Sequence, residues 1–241
     1  MKRLVVCALL VGCGGDDSGG GGGTIAIDDL GLRLATATCA KTFQCCTDAE
    51  IMAQYMGITY NGQPITTEDQ CVGFANALFT GFAVAQYKTS QMAGRVEYDG
   101  AAAGDCVAFL NSLTCAEYAE GPDAALAMSS CRPFLIPKVA DNGACTQDYE
   151  CISDYCEGAV VNTGGTSMDG ACKPLPTAGQ MCDSDCADGL FCGYDTTAGN
   201  EICQTLKANG ATCSLDRECT SDNCDNTSHV CAAEPVTCDG R

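Results

Sequence analysis

The sequence has no tryptophan, a single histidine (His229), and no two cysteines separated by two residues, although 22 of its 241 residues are cysteine. Structural zinc sites draw on close ligand pairs, combined as four cysteines or as cysteines with histidine. With no Cys-x-x-Cys and one imidazole, the chain does not fit that pattern, and the same absence removes the thioredoxin-like redox motif. Nucleophilic catalysis has as little to work with. No Gly-x-Ser-x-Gly elbow occurs, His229 sits in the polar turn Asn-Thr-Ser-His-Val-Cys as a solvent-facing residue, and no carboxylate pair stands in a recognisable hydrolase motif. Positive charge is also scarce, with 12 basic against 31 acidic residues. That balance argues against nucleic acid, whose phosphates need a basic surface, and leaves a cationic partner or a merely solvated acidic coat. Long apolar runs are missing too: the N-terminal Leu4–Val11 is too short to span a bilayer as a helix.

That short run is informative in its context. Lys2 and Arg3 precede it, giving the charged start and apolar middle of an export signal. It ends in Leu10-Val11-Gly12-Cys13, which resembles the lipobox of bacterial lipoproteins. The resemblance implies cleavage after residue 12 and acylation of Cys13; an ordinary secretory signal is the alternative. Two or more acyl chains anchor stably where one does not. Gly14 follows the anchor in place of the aspartate of inner-membrane retention signals, so an outer-membrane or cell-surface address is expected. Residues 13–23 then read as a lipidated cysteine and a flexible Gly-rich tether.

Residues 24–138 carry helical periodicity. Leu30, Leu34 and Ala37 suggest an opening helix. Thr47 and Glu50 form a capping box ahead of Ile51, Met52, Tyr55 and Met56, with Gly57 as the stop. Thr67 and Gln70 start a longer helix whose stripe runs through Cys71, Phe74, Ala75, Leu78, Phe79 and Phe82 to about Met92, before Gly94. Asp99 caps a third helix carrying Val107 and Leu110, and Thr114 with Glu117 opens a short one. The expectation is a small helical bundle braced by disulfides and closed by Pro133 and Pro137.

Beyond Val139 the composition changes. From Cys145 to Cys231 only 12 of 87 residues are Leu, Ile, Val, Phe or Met, too few to offset the entropy of ordering the chain. Twelve cysteines fall there in three repeats, at residues 141–174, 177–205 and 208–233, with a tail at 234–241. Each repeat opens with a turn glycine (Gly143, Gly179, Gly210). In an exported chain such cysteines read as staples, each closure of about 15 residues contributing roughly 3 kcal/mol. The expected fold class is therefore mixed: a disulfide-braced helical bundle followed by small cysteine-rich hairpin and loop modules.

Removing Cys7 with the signal and committing Cys13 to lipid leaves 20 cysteines, an even number. These are Cys39, Cys45, Cys46, Cys71, Cys106, Cys115 and Cys131 in the helical part, Cys145, Cys151, Cys156 and Cys172 in the first repeat, Cys182, Cys186, Cys192 and Cys203 in the second, Cys213, Cys219, Cys224 and Cys231 in the third, and Cys238 alone in the tail. Seven helical cysteines is an odd number, so one must pair outside its domain, with Cys238 or with the first repeat. The spacing leaves connectivity within a repeat open. The adjacent Cys45 and Cys46 read as braces to different helices, with a redox pair as the alternative.

The rhythm Gly-x-x-Cys followed by Glu-Cys-x-x-x-x-Cys over Cys145–Cys231 resembles the Dickkopf N-terminal cysteine-rich domain as found in bacterial lipoproteins. The preceding stretches "TFQCCTDAE", "TEDQCV" and "GRVEYDGAAAGDC" look like the region before such repeats in proteins of myxobacteria and their relatives. The resemblance implies a fold type and an extracellular setting; no receptor-binding residue carries over.

Two further features stand out. Asp183, Asp185 and Asp188 gather near Gly189 as a weak calcium candidate, but the spacing misses the EF-hand loop and lacks its distal glutamate. Asn226-Thr227-Ser228 matches a glycosylation sequon. No cofactor is expected. The anticipated role is noncatalytic: a surface lipoprotein, anchored in the membrane, that recognises a protein or glycan ligand or serves as support. An inhibitor or antagonist presenting the segment between Cys156 and Cys172 is the alternative, and an enzyme built on the helical part the third reading.

Overall fold

A computed structural model describes residues 23–119, 133–161, 167–183, 185–233 and Cys238. The expected export signal and lipidated Cys13, nearly all of the Gly-rich segment expected to be a tether, and Cys131 lie outside the described residues. The chain is a mixed structure of helices and small sheets held by many disulfides, and it divides into two units: Met1–Val139 with Val236–Arg241, and Ala140–Pro235.

The first unit is built on α1 (Ile27–Cys45), whose buried face carries Leu30, Gly31, Leu34, Ala35, Cys39, Thr42 and Cys45. The short α2 (Asp48–Gln54) starts at a complete capping box, Thr47 with Glu50. It is followed by a two-residue hairpin of β1 (Thr59–Tyr60) and β2 (Gln63–Pro64). Its turn residues, Asn61 and Gly62, have φ of 51° and 74°, as the favoured two-residue hairpin turn requires. A second capping box, Thr67 with Gln70, opens α3 (Glu68–Leu78). A π-helical turn at Phe79–Val84 leads into α4 (Ala85–Met92), and Gly94, at φ 71°, ends it.

Helix α5 (Gly100–Ser112) starts where the Asp99 carboxylate accepts the backbone N–H groups of Ala101 and Ala102 at 2.9 and 3.0 Å. The last helix of the unit is α6 (Cys115–Ala119), capped by Thr114 and Glu117. Strand β3 (Val96–Tyr98) pairs antiparallel with β4 (Leu135–Pro137), so Pro137 lies in a strand. At Gly31 a Cβ would stand 2.4 Å from Thr80 Oγ1, so α1 and the π-turn pack at a distance that only glycine allows.

Two expectations about apolar stripes need correction. Met52 and Met56 are 64% and 83% exposed, because α2 is only seven residues long and buries Ile51 alone. Phe82 is 67% exposed although the expected stripe that starts at Cys71 runs through it. The π-turn widens the spiral from Phe79 onward, which shifts the buried positions to Val84 and Tyr87.

In the second unit, β5 (Ala144–Cys145), β6 (Cys156–Glu157) and β9 (Gly170–Cys172) form a three-stranded sheet with β9 in the middle. β7 (Val160–Val161) pairs with β8 (Ser167–Met168). β10 (Leu190–Asp195) and β11 (Asn200–Thr205) make the longest hairpin, with Cys192 opposite Cys203. No helix among the described residues is long and apolar enough to cross a membrane.

Candidate functional site

The cysteine framework is the feature the fold is built to hold. In the first unit Cys39 pairs with Cys71, joining α1 to α3, and Cys45 pairs with Cys115, joining α1 to α6. Its neighbour Cys46 pairs with Cys238 across 192 residues. The adjacent cysteines thus brace different partners, and the tail cysteine belongs to the first unit. Around them Ile51 is buried, the Cys238 amide donates to Glu50 Oε1 at 2.8 Å, and the Thr42 and Tyr118 hydroxyls lie 2.7 Å apart. Burial, then the neighbouring Tyr118, pushes the Tyr55 phenol up to about 12. Cys106 is also disulfide-bonded.

Each repeat of the second unit uses one connectivity, first cysteine to third and second to fourth. The pairs are Cys145–Cys156 and Cys151–Cys172, Cys182–Cys192 and Cys186–Cys203, and Cys213–Cys224 and Cys219–Cys231. Each repeat also opens on a left-handed residue: Asn142, Gly179 and Gly210, with φ of 68°, 79° and 89°. Their N–H groups donate to the carbonyls of Cys172, Cys203 and Cys231 at 2.7, 2.8 and 2.7 Å. In the first repeat the turn residue is therefore Asn142, not Gly143. Asparagine tolerates the left-handed region, and the hydrogen-bonding position lies three residues before the first cysteine in all three repeats.

The first and third repeats share a finer scaffold over Asp-x-Glu-Cys-x-Ser-Asp-x-Cys, residues 148–156 and 216–224. Asp148 and Asp216 accept the amides of Cys156 and Cys224 at 2.7 and 2.9 Å. Glu150, fully buried, accepts the Thr146 amide at 2.7 Å, and Glu218, 8% exposed, accepts that of Ser214 at 3.3 Å. Asp154 and Asp222 take left-handed backbone, with φ of 58° and 45°.

The contacts between consecutive repeats differ in charge. Between the second and third, Lys207 Nζ pairs with Glu218 Oε2 at 2.5 Å and stands 5.8 Å from the centre of the Phe191 ring. Burial pushes the Glu218 carboxyl up, but the lysine and the Ser214 amide outweigh it and hold the group below the usual carboxylate range. Between the first and second, the buried Tyr155 hydroxyl donates to Asp183 Oδ1 at 2.7 Å. Burial, then the nearby Asp148 and Asp185, raises the Asp154 carboxyl to about 6.

Three groups of sulfurs lie within 4.8 Å of one another: Cys145, Cys151 and Cys156; Cys182, Cys186 and Cys203; Cys213, Cys219 and Cys231. All nine sulfurs are in disulfides and offer no thiolate to a metal. Among the described residues the donor groups drawn together at that distance are these sulfurs. The exposed Asp183, Asp185 and Asp188 are not assembled as a ligand set, and Asp183 is instead engaged by Tyr155. His229 occupies a left-handed turn position, φ 54°, where its amide donates to the Asp225 carbonyl. Asp225 also caps that turn through Thr227 and Ser228, and the Ser228 hydrogen bonds, with that of Thr227, hold its carboxyl low. Asn226 of the sequon is exposed beside it.

No family model matches the chain, and no similar protein is found among the curated proteins or the solved structures. Sequence reasoning passed over Glu150, Glu218, Tyr155 and Lys207. The nine-residue pattern shared by the first and third repeats was the available signal for the two glutamates. Nothing local marked Tyr155, whose partner lies 28 positions away.

Proposed function

We propose that this chain is an exported, lipid-anchored bacterial protein whose disulfide-stapled ectodomain has a noncatalytic role in recognition or support at the cell surface. In this reading the lipid sits on Cys13, residues 13–23 form the tether, a helical bundle follows, and three Dickkopf-N-like modules carry the binding loops. The observation that supports it most is the single disulfide connectivity repeated in three consecutive segments. Disulfides at that density persist in oxidising compartments outside the cytoplasm. They also hold loops in place before any ligand arrives, and such preorganisation lowers the ordering cost of binding. The ligand is a protein or glycan at the outer surface.

The test is titration of the soluble ectodomain, residues 23–241, onto intact cells and isolated surface material, before and after reduction. Saturable binding that reduction abolishes is the expected result; binding that is absent, or indifferent to reduction, contradicts the reading. A second reading, an inhibitor that inserts one loop into an enzyme or receptor, draws on the paired backbone of Val160–Val161 with Ser167–Met168 between Cys156 and Cys172. Inhibition of one member of a protease panel would favour it over simple adhesion.

A further inference from the structure

We propose that this chain reaches its fold through thiol–disulfide exchange and is a client of a dithiol–disulfide isomerase. The observation that carries this is the order of the pairs. In each of the nine disulfides whose two cysteines are both described, at least one other cysteine lies between the partners in the sequence. Cys39–Cys71 passes over Cys45 and Cys46, Cys45–Cys115 passes over Cys46, Cys71 and Cys106, and all three repeats are interleaved. The inference goes beyond the anchored-ectodomain reading and does not depend on acylation of Cys13.

Chain statistics favour other links. In the first repeat Cys145 and Cys151 are 6 residues apart and Cys151 and Cys156 are 5 apart, against 11 and 21 for the native pairs. A loop half as long closes about threefold more readily. Cys71 lies 25 residues beyond Cys46, whereas the native partner Cys238 is 192 away, a disadvantage of roughly twentyfold by the same scaling. Strand pairing favours wrong links as well. Cys156 stands opposite Cys172, Cys192 opposite Cys203, and Cys224 opposite Cys231. Each of these is a neighbouring pair in the sequence, placed side by side and bonded elsewhere. The contacts that select the interleaved pairs belong to the closed repeat. Asn142, Gly179 and Gly210 donate to the carbonyl of the fourth cysteine, and Asp148 and Asp216 accept the amide of the third. Early links are set by distance along the chain, and the final ones by contacts that exist only when a repeat is complete.

The repeats also hold their sulfurs where exchange is short-range. Both sulfurs of Cys145–Cys156 lie within 4.8 Å of the Cys151 sulfur, those of Cys186–Cys203 within that distance of Cys182, and those of Cys219–Cys231 within that distance of Cys213. Take a first repeat misjoined as Cys145 to Cys151 and Cys156 to Cys172. The isomerase thiolate attacks the Cys145 sulfur, forming a mixed disulfide and releasing Cys151 as a thiolate. Cys151 attacks the Cys172 sulfur and releases Cys156, which attacks Cys145 and expels the isomerase thiolate. Two disulfides enter and two leave, so no oxidant is consumed. In the finished repeat Cys145, Cys151 and Cys172 are 0%, 1% and 0% exposed, which closes them to further attack, since exchange requires access.

The test is oxidative refolding of the native protein, denatured, fully reduced and diluted into detergent with the thiol oxidant diamide. Non-reducing peptide mapping follows the links, first with diamide alone and then after diamide is removed and catalytic, reduced protein disulfide isomerase is added. Four cysteines allow three connectivities, so chance closure would leave all three repeats native in about 1 chain in 27. With diamide alone, short links such as Cys145–Cys151 and Cys213–Cys219 should predominate. Reduced isomerase should raise the share of chains with all three repeats interleaved by about tenfold or more, and isomerase with alkylated active-site cysteines should not. Native protein given the same reduced isomerase should keep its map. A native map in most chains with diamide alone, a scrambled map that the isomerase leaves unchanged, an equal gain from the alkylated isomerase, or scrambling of the native protein would overturn the proposal.

Discussion

At the scale of single residues, the second unit buries two carboxylates, Glu150 and Glu218, among its cysteines and aromatic rings. Glu150 is fully buried and accepts both the amide and the hydroxyl of Thr146. Removing one partner of a buried hydrogen bond leaves the other to bear its own desolvation. Glu150→Ala is therefore expected to destabilise the chain by about 1–3 kcal/mol in denaturant unfolding, while the exposed Glu157→Ala changes stability by less than about 0.5 kcal/mol. Equal effects would show that the buried glutamates are incidental to the repeat. In the first unit, Asp99 accepts two amides at the start of α5, and Asp99→Ala should cost about 1 kcal/mol of thermal or denaturant stability.

At the scale of elements, what was legible in the sequence is what depends on residues a few positions apart. Thr47 with Glu50, Thr67 with Gln70, and Asp99 each start a helix where their spacing placed one, and Gly94 ends α4. The β1–β2 hairpin was equally local, written in Tyr60-Asn61-Gly62-Gln63, but the helical reading of its surroundings passed over it. Gly62 stands at φ 74°, and Gly62→Val should destabilise the turn by about 1–2 kcal/mol, read as faster amide exchange at Thr59 and Gln63 with the helices unaffected. Long-range features were not legible. β3 finds β4 across some 40 residues, and Cys46 finds Cys238 because packing around Ile51 and Glu50 brings them together. Parity alone announced that a cysteine of the helical part had an outside partner; spacing left open which. The π-turn had no sequence signal in the periodicity, and it moved Phe82 from a buried stripe to the surface.

At the scale of the whole molecule, the Cys46–Cys238 disulfide makes the second unit an insertion tethered to the first at both ends. Closing so long a loop contributes about 2–5 kcal/mol. Replacing Cys46 and Cys238 together by alanine should lower the thermal midpoint of the first unit while leaving the three repeats oxidised, as judged by non-reducing peptide mapping. An unchanged midpoint would show that the clasp is idle. The acidic excess of 31 carboxylates over 12 basic groups fits a surface kept soluble by self-repulsion.

The central claim, an acylated anchor carrying a fully stapled ectodomain, is tested most directly by the intact mass of the native protein before and after reduction, together with its partition between membrane and soluble fractions. The account predicts a membrane-bound protein that begins at an acylated Cys13. On reduction it should gain 20 hydrogens, one for each cysteine that remains after Cys7 and Cys13 are set aside. A soluble protein with an unmodified Cys13 and free thiols would contradict it and return the cysteines to metal or redox chemistry.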